Sequence, residues 1–302
     1  MRPTLRQLHY LVAVADTGKF RDAARLLNVS QPSLSAQLAD AEAQLGAALV
    51  ERGRRGASLT PLGEDVVQRA RAILTQVEDL KTVVRSRSQG PAGHYRLGTV
   101  PTIGPYLLPG AVKRLHALYP ELKLSVREER TIDLQKKLDD GRLDMVISTP
   151  EDHRDAAYMP LFDETLWICT AVDDPLAAED SPVHLKDLEG RDVLSLGYGH
   201  RLSKIVQGLA DLADARVSTE YEGTSLDALR QMAAMGVGIA ILPSLYAMVE
   251  ARRDPALAIR QLIHPQAIRP VSLLWRAASP LARHMQQIGT LLQQAGQELL
   301  GH

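Results

Sequence analysis

Apolar positions in the first forty-five residues recur with the period of helices. Leu5, Leu8, Leu11, Val12 and Ala15 share one face, and Gly18 closes that segment. Phe20 to Leu27 predicts a second helix, in which Ala23 and Ala24 let a neighbour pack closely. Asn28-Val29-Ser30 makes the turn that follows. Ser30 is placed as an N-cap, and Pro32 falls in the first helical turn, where its missing N–H costs nothing. A third helix then runs from about Gln31 to Leu45, with Leu34, Leu38, Ala41 and Leu45 on its inner face and Gly46 as its stop.

Two short helices joined by a tight turn, the second polar on one side, describe a helix-turn-helix, whose second helix enters the major groove of DNA. Gln31, Ser33, Ser35 and Gln37 point outward near the start of that helix, and Gln pairs bidentately with adenine. A solvated helix face accounts for this segment equally well. The next residues weigh against it. Leu49 to Thr60 reads as strand, turn and strand, with Arg52, Arg54 and Arg55 at a glycine-flanked tip. Such a wing suits a phosphate backbone or a narrow minor groove.

Thr60-Pro61 repeats the pattern of N-cap followed by proline, with Glu64 and Asp65 favourable at the positive end of the helix dipole. Val66, Ala70, Ile73, Val77, Leu80 and Val84 follow at heptad spacing. From Pro61 to about Ser88 this helix is ~40 Å long at 1.5 Å per residue. It either packs on its own domain or dimerises as a coiled coil. Persistence of the seam over three heptads favours the dimer, which sets two recognition helices on the half-sites of a palindrome. Gln89-Gly90-Pro91-Ala92-Gly93 predicts a hinge.

From His94 the pattern changes to alternating strands and helices. Strands are expected at 95–100, 122–128, 143–148, 164–172, 191–196, 217–222, 237–242, 259–262 and 271–275. Helices are expected at 106–118, 132–140, 200–213 and 225–235. This is an α/β pattern, long enough for two lobes with a cleft where the chain crosses. Ligands of such sheets bind beyond the carboxyl ends of strands, at helix N-termini. Pro101-Thr102-Ile103-Gly104-Pro105 and Gly223-Thr224-Ser225-Leu226 both stand at such places. Each hydroxyl alone reads as a plain N-cap, and the pair reads as a pocket.

Composition narrows the picture. At 302 residues the chain allows two or three domains, and 45% hydrophobic with 24% charged residues is the mix of a soluble globular protein. No apolar run nears the ~20 residues of a membrane span, and no signal peptide opens the sequence, so a cytoplasmic protein with no membrane partner is expected. Residues 1–89 hold 13 Lys and Arg against 9 Asp and Glu, while the rest holds 22 against 27. The surplus of positive charge thus lies with the proposed DNA-binding segment. Cys169 is the single cysteine, which excludes an intramolecular disulfide and a cysteine zinc site. The nine histidines show no metal-ligand spacing, so neither metal nor cofactor is expected.

The whole chain resembles the LysR-type transcriptional regulators. The resemblance rests on Leu5-Arg6-Gln7-Leu8, Phe20, Ala23-Ala24, Ser30 to Ser35, Gln37, Leu45-Gly46, Glu51-Arg52 and Leu59-Thr60-Pro61-Leu62-Gly63. It implies an α/β protein with an N-terminal winged helix-turn-helix, a long linker helix and a C-terminal two-lobed, periplasmic-binding-protein-like α/β domain. The expected boundaries are 1–60, 61–90 and 91–302, with lobe I at about 91–164 and 266–302 and lobe II at about 165–265. It also implies DNA contacts from Ser30, Gln31, Pro32, Ser33, Ser35, Gln37 and Arg52, a homodimer that builds a homotetramer on double-stranded promoter DNA, and RNA polymerase as a partner. Ala36 stands where many members have arginine, which removes one expected contact.

Within the family, the C-terminal domain is most similar to the peroxide-sensing OxyR branch, through Pro101 to Pro109, Pro160 to Glu164, Gly199-His200, Thr224-Ser225-Leu226 and Ser279-Pro280-Leu281. That branch oxidises a cysteine directly after the histidine. Here Arg201 stands in its place, and no cysteine follows in residues 202–215, so the redox pair is missing. Thr102 and Thr131 match the threonines of the branch's peroxide pocket. Arginine pairs with carboxylates and phosphates, so Thr102, Thr131, His200, Arg201, Thr224 and Ser225 are expected to hold a small anionic effector. A solvent-exposed Arg201 at a helix start is the plainer account. A peroxide-responsive regulator without the disulfide switch is the alternative within the class. A solute-binding protein shares the two-lobed fold but does not explain residues 1–60, and no enzyme motif is found.

Overall fold

The computed structural model describes residues 3–53, 56–85, 90–218 and 225–301. The chain forms two compact units, Met1–Arg85 with Asp139–Arg142, and Ser86–Leu138 with Leu143–His302.

The first unit begins with α1 (Leu5–Thr17), capped reciprocally by Thr4 and Gln7 and closed by Gly18 at φ 66°. After α2 (Phe20–Leu26) comes α3 (Gln31–Leu45). Ala23, Ala24, Leu34 and Leu38 pack with Tyr10, Leu11 and Val14 in one core. Gln7 is buried and donates from Nε2 to Asp40 Oδ2 at 2.7 Å, which ties α1 to α3. Leu45 corrects the expected inner face: in the last turn of α3 it stands outside this core and is 43% exposed. β1 (Val50–Gly53) and β2 (Gly56–Leu59) pair antiparallel, Val50 opposite Leu59 and Gly53 opposite Gly56.

α4 (Pro61–Arg85) starts at the Thr60 cap, whose Oγ1 accepts from the Gly63 N–H at 2.9 Å. Gly63 has a close-approach reason, since a Cβ there would overlap the Leu49 carbonyl. The expected heptad seam divides. Ala70 is buried against Leu8 and Leu74, and Val66 packs on the core of its own unit. Ile73 and Leu80 remain 42% and 67% exposed. The side chain of Val84 lies outside the described residues.

In the second unit, in chain order, are β3 (Gly93–Thr99), α5 (Gly104–Leu118), β4 (Leu122–Glu128), α6 (Thr131–Asp139) and β5 (Met145–Ser148). There follow β6 (Ala156–Ala171), β7 (Val183–His184), β8 (Asp192–Leu194), α7 (Arg201–Ala213), β9 (Arg216–Val217) and α8 (Leu226–Ala234). Last come β10 (Ile239–Pro243), α9 (Ser244–Val249), β11 (Leu257–Ile263), β12 (Ile268–Arg276) and α10 (Ala282–Leu300).

The sheet order is β4-β3-β5-β12-β6-β10-β8-β9, with β11 bridging β6 and β7. β3 pairs parallel with β4 and β5, and β10 parallel with β8, as alternation with helices predicts. The first half of β6 pairs with β12, and the second half pairs with β10 and β11, so one strand serves both lobes. The ladder shifts register between Val271 and Ser272, close to Pro160 and Pro270, which have no N–H to donate. β6 is longer than the expected 164–172. Its first residues, Ala156-Ala157 and Pro160 among them, are weak strand formers, and pairing with β12 overrides that preference. The expected strand at 217–222 is described only at Arg216–Val217, and 219–224 lie outside the described residues.

Candidate functional site

α3 presents the first candidate surface. Ser30 caps it, its Oγ accepting from the Ser33 N–H at 3.3 Å. Gln31, Pro32 and Ser33 are exposed, and Ser35 and Gln37 half-exposed, on the face opposite Leu34 and Leu38. The side chains of Gln31, Ser33, Ser35 and Gln37 have no hydrogen-bond partner among the described residues, which leaves donors and acceptors facing outward. Arg52 lies in β1 opposite Ala57. Its side chain, with Arg54 and Arg55, lies outside the described residues.

The wing is anchored to the helices by two contacts not anticipated from sequence. The Ala57 N–H donates to the Gly18 carbonyl at 2.7 Å. Glu42 Oε1 accepts from the Leu49 and Val50 N–H groups at 2.7 and 3.0 Å. One carboxylate oxygen taking two backbone donors is a strong, charge-assisted anchor. Glu42 looked like one more polar residue on a helix face.

The second candidate surface is in the α/β unit. Thr102 follows β3, is buried, and accepts from Arg269 Nη1 at 2.9 Å. The cap reading of Thr102 therefore fails. Its hydroxyl is held by a side chain from β12, and Ile103 caps α5. Arg269 in turn pairs with Glu164 through Nε and Nη2, and Glu164 Oε1 accepts from the Leu245 N–H at 3.0 Å. The side chains of this pair are only 3% and 0% exposed. β6, β12, α9 and the loop before α5 thus meet on one buried charge pair, and neither Glu164 nor Arg269 stood out in the sequence as a site residue.

Thr131, the first residue of α6, is buried and accepts from the Arg201 main-chain N–H at 3.3 Å. His200 caps α7 with its backbone. Burial, helped by the nearby Arg130 and opposed by Asp133, holds its imidazole below the ordinary 6.5. It is therefore neutral at pH 7, and its Nε2 has no partner among the described residues. Arg201 is neither solvent-exposed nor an unpaired cation. It pairs with Glu151 and, at 3.4 Å, with Asp152. Ser225 is exposed and makes no side-chain cap, and Thr224 lies outside the described residues.

Two tyrosines meet between α5 and α9. Tyr106 of α5 meets Tyr246 of α9 edge to face, centroids 6.4 Å apart. The Tyr246 hydroxyl donates to Asp227 at 2.6 Å. Burial first, then Glu250, Asp227, Glu128 and Glu164, push Tyr106 up to about 12. Cys169 is fully buried in β6, and burial pushes its thiol up to about 12. Reactive cysteines are exposed and low in pKa, and this one is neither. No group of possible metal ligands occurs among the described residues.

Both parts of the chain match known protein families. Residues 5–64 match the bacterial regulatory helix-turn-helix of the lysR family, and residues 88–297 match the LysR substrate binding domain. The chain is 37% identical to the DNA-binding transcriptional dual regulator OxyR of Escherichia coli K12, over 94% of this chain and 93% of that protein. It is similar to a full-length OxyR variant from Pseudomonas aeruginosa, with a TM-score of 0.80 and 31% identity, covering 97% of this chain and 95% of that one. It is also similar to a Corynebacterium glutamicum OxyR mutant with hydrogen peroxide bound, with a TM-score of 0.68 and 30% identity, covering 100% of this chain and 95% of that one.

Proposed function

Because this chain belongs to the LysR family of DNA-binding transcription regulators, we propose that its promoter binding is set by a small polar effector held between the lobes near Thr102, Thr131 and His200. The observation that carries this is the convergence of buried polar groups at strand ends and helix starts of both lobes, one of which, His200 Nε2, is unpartnered among the described residues. A buried polar atom without a partner costs free energy that a ligand can return.

DNA is held by Ser30, Gln31, Pro32, Ser33, Ser35 and Gln37 on the recognition helix and by Arg52, Arg54 and Arg55 at the wing. The outward polar face of α3 supports the first group, and the arginine-rich tip of the sequence supports the second. The exposed Ile73 and Leu80 on α4 support a homodimer through this helix, and two dimers on one promoter make the tetramer. RNA polymerase is then the partner that the regulator recruits or blocks in the cytoplasm. The family consists of regulators rather than enzymes, and catalysis is not part of this reading.

Pairing of Arg201 with two carboxylates changes the expected chemistry of the cleft. An anion reaches that guanidinium only by displacing Glu151, so hydroxyl and imidazole groups, not Arg201, make the first contacts. A second reading, peroxide responsiveness without a thiol switch, is favoured by Thr102 and Thr131 and by similarity to proteins named as hydrogen peroxide-inducible genes activators. Thermal-shift titration of the full chain with small carboxylates, oxyanions and hydrogen peroxide separates the two. Stabilisation by one class, lost in Thr102→Val, is expected. A flat response to every compound sinks the effector reading.

A further inference from the structure

The first turn of α7 is fastened to the opposite lobe at three points. The Arg201 guanidinium pairs with Glu151 and Asp152, which lie in the short 3-10 turn Pro150–Asp152 directly after β5. The Arg201 main-chain N–H donates to Thr131 at the start of α6. Lys204, one turn on, lies 3.8 Å from Asp152. α7 itself belongs to the other half of the sheet, since Leu202, Val206 and Leu209 pack with residues of β6, β8 and β10. β5 lies on the far side of β12 from them.

We propose that Arg201 is an ionic clasp that holds the two lobes together across the mouth of the cleft. The clasp is asymmetric. The Asp152 side chain is 11% exposed and fixed, while Glu151 is 56% exposed and can swing into solvent. Charges near the clasp balance, with Arg201, Lys204 and Arg130 facing Glu151, Asp152 and Asp133. The clasp thus opposes separation of the lobes, and Glu151 is the partner that lets go first when an effector needs the lobes to part. The role of the clasp in ligand entry rests on the effector reading above; the clasp itself does not.

Hydrogen exchange of the ligand-free full chain tests it. In Arg201→Gln, the amides of 201–205 and 131–134 are expected to exchange roughly two- to fivefold faster, the range set by ion pairs of this exposure. Glu151→Gln, at an exposed position that cannot endanger folding, gives a smaller rise in the same segments. The double variant exchanges no faster than Arg201→Gln, because both changes break one contact. Unchanged exchange in the single variants, or additive effects in the double, overturns the clasp. Since no effector is present, that result leaves the effector reading standing.

Discussion

At the scale of single residues, the most consequential pair is Arg269 and Glu164. Both are buried, and Glu164 also takes a backbone donor, so the pair is satisfied on every side. Arg269→Met strands a carboxylate in the interior, and removing one partner of a buried pair costs about 3–5 kcal/mol. Denaturant unfolding reads this directly, and a loss below about 1 kcal/mol would mean water reaches Glu164. Cys169 gives a second residue-level expectation. With its thiol pushed up to about 12, the native protein is inert to an aromatic disulfide reagent at pH 8 and reacts on unfolding. Fast reaction while folded would reopen a thiol role. Thr102 could be singled out locally, at a strand-helix junction, whereas Thr131 and His200 were singled out only through the family resemblance, and all three are buried. Arg269 was not singled out, because its partners stand 105 and 167 positions away in the chain. The partners of Arg201 were equally hidden, since the sequence shows a cation and not the acids, Glu151 and Asp152, that pair with it.

At the scale of elements, helices with strong caps were read almost to the residue. Ser30 and Gly46 bound α3, and Thr60 begins α4. Strands were read less well, because pairing decides their ends. β6 continues through Ala156 to Leu161 only because β12 lies beside it. The long helix α4 shows a further limit of periodicity. Its apolar positions form two stripes, one closing its own unit through Ala70 and Leu74 and one facing outward through Ile73 and Leu80. A heptad count cannot tell them apart. Leu80→Glu is expected to weaken self-association at least tenfold in sedimentation equilibrium while leaving helix content unchanged, since burying one unpaired charge costs more than 1.4 kcal/mol. An unaltered dimer would place the interface elsewhere.

At the scale of the whole molecule, two histidines contribute to sensitivity to acid. Burial holds both His200 and His284 below their ordinary 6.5 in the folded chain. The unfolded chain thus binds more protons, and stability falls as pH drops below about 6.5 toward the depressed folded values. Above 6.5 this contribution is fully present. The melting temperature is expected to decline over that window, and His200→Asn to shallow the decline. A slope that the substitution leaves unchanged would assign the acid sensitivity to carboxylates instead.

The ribbon formed by β6 and β12 carries a last consequence. Pro160 and Pro270 bring no N–H to it, and the register slips beside them at Val271 and Ser272. A ribbon bends most readily at such an irregularity, so rotation of one half of the sheet against the other is expected to concentrate there. If a bound messenger turns one lobe against the other, the turn is expected about this spine, like pages on a binding, and not as a diffuse softening of the whole domain.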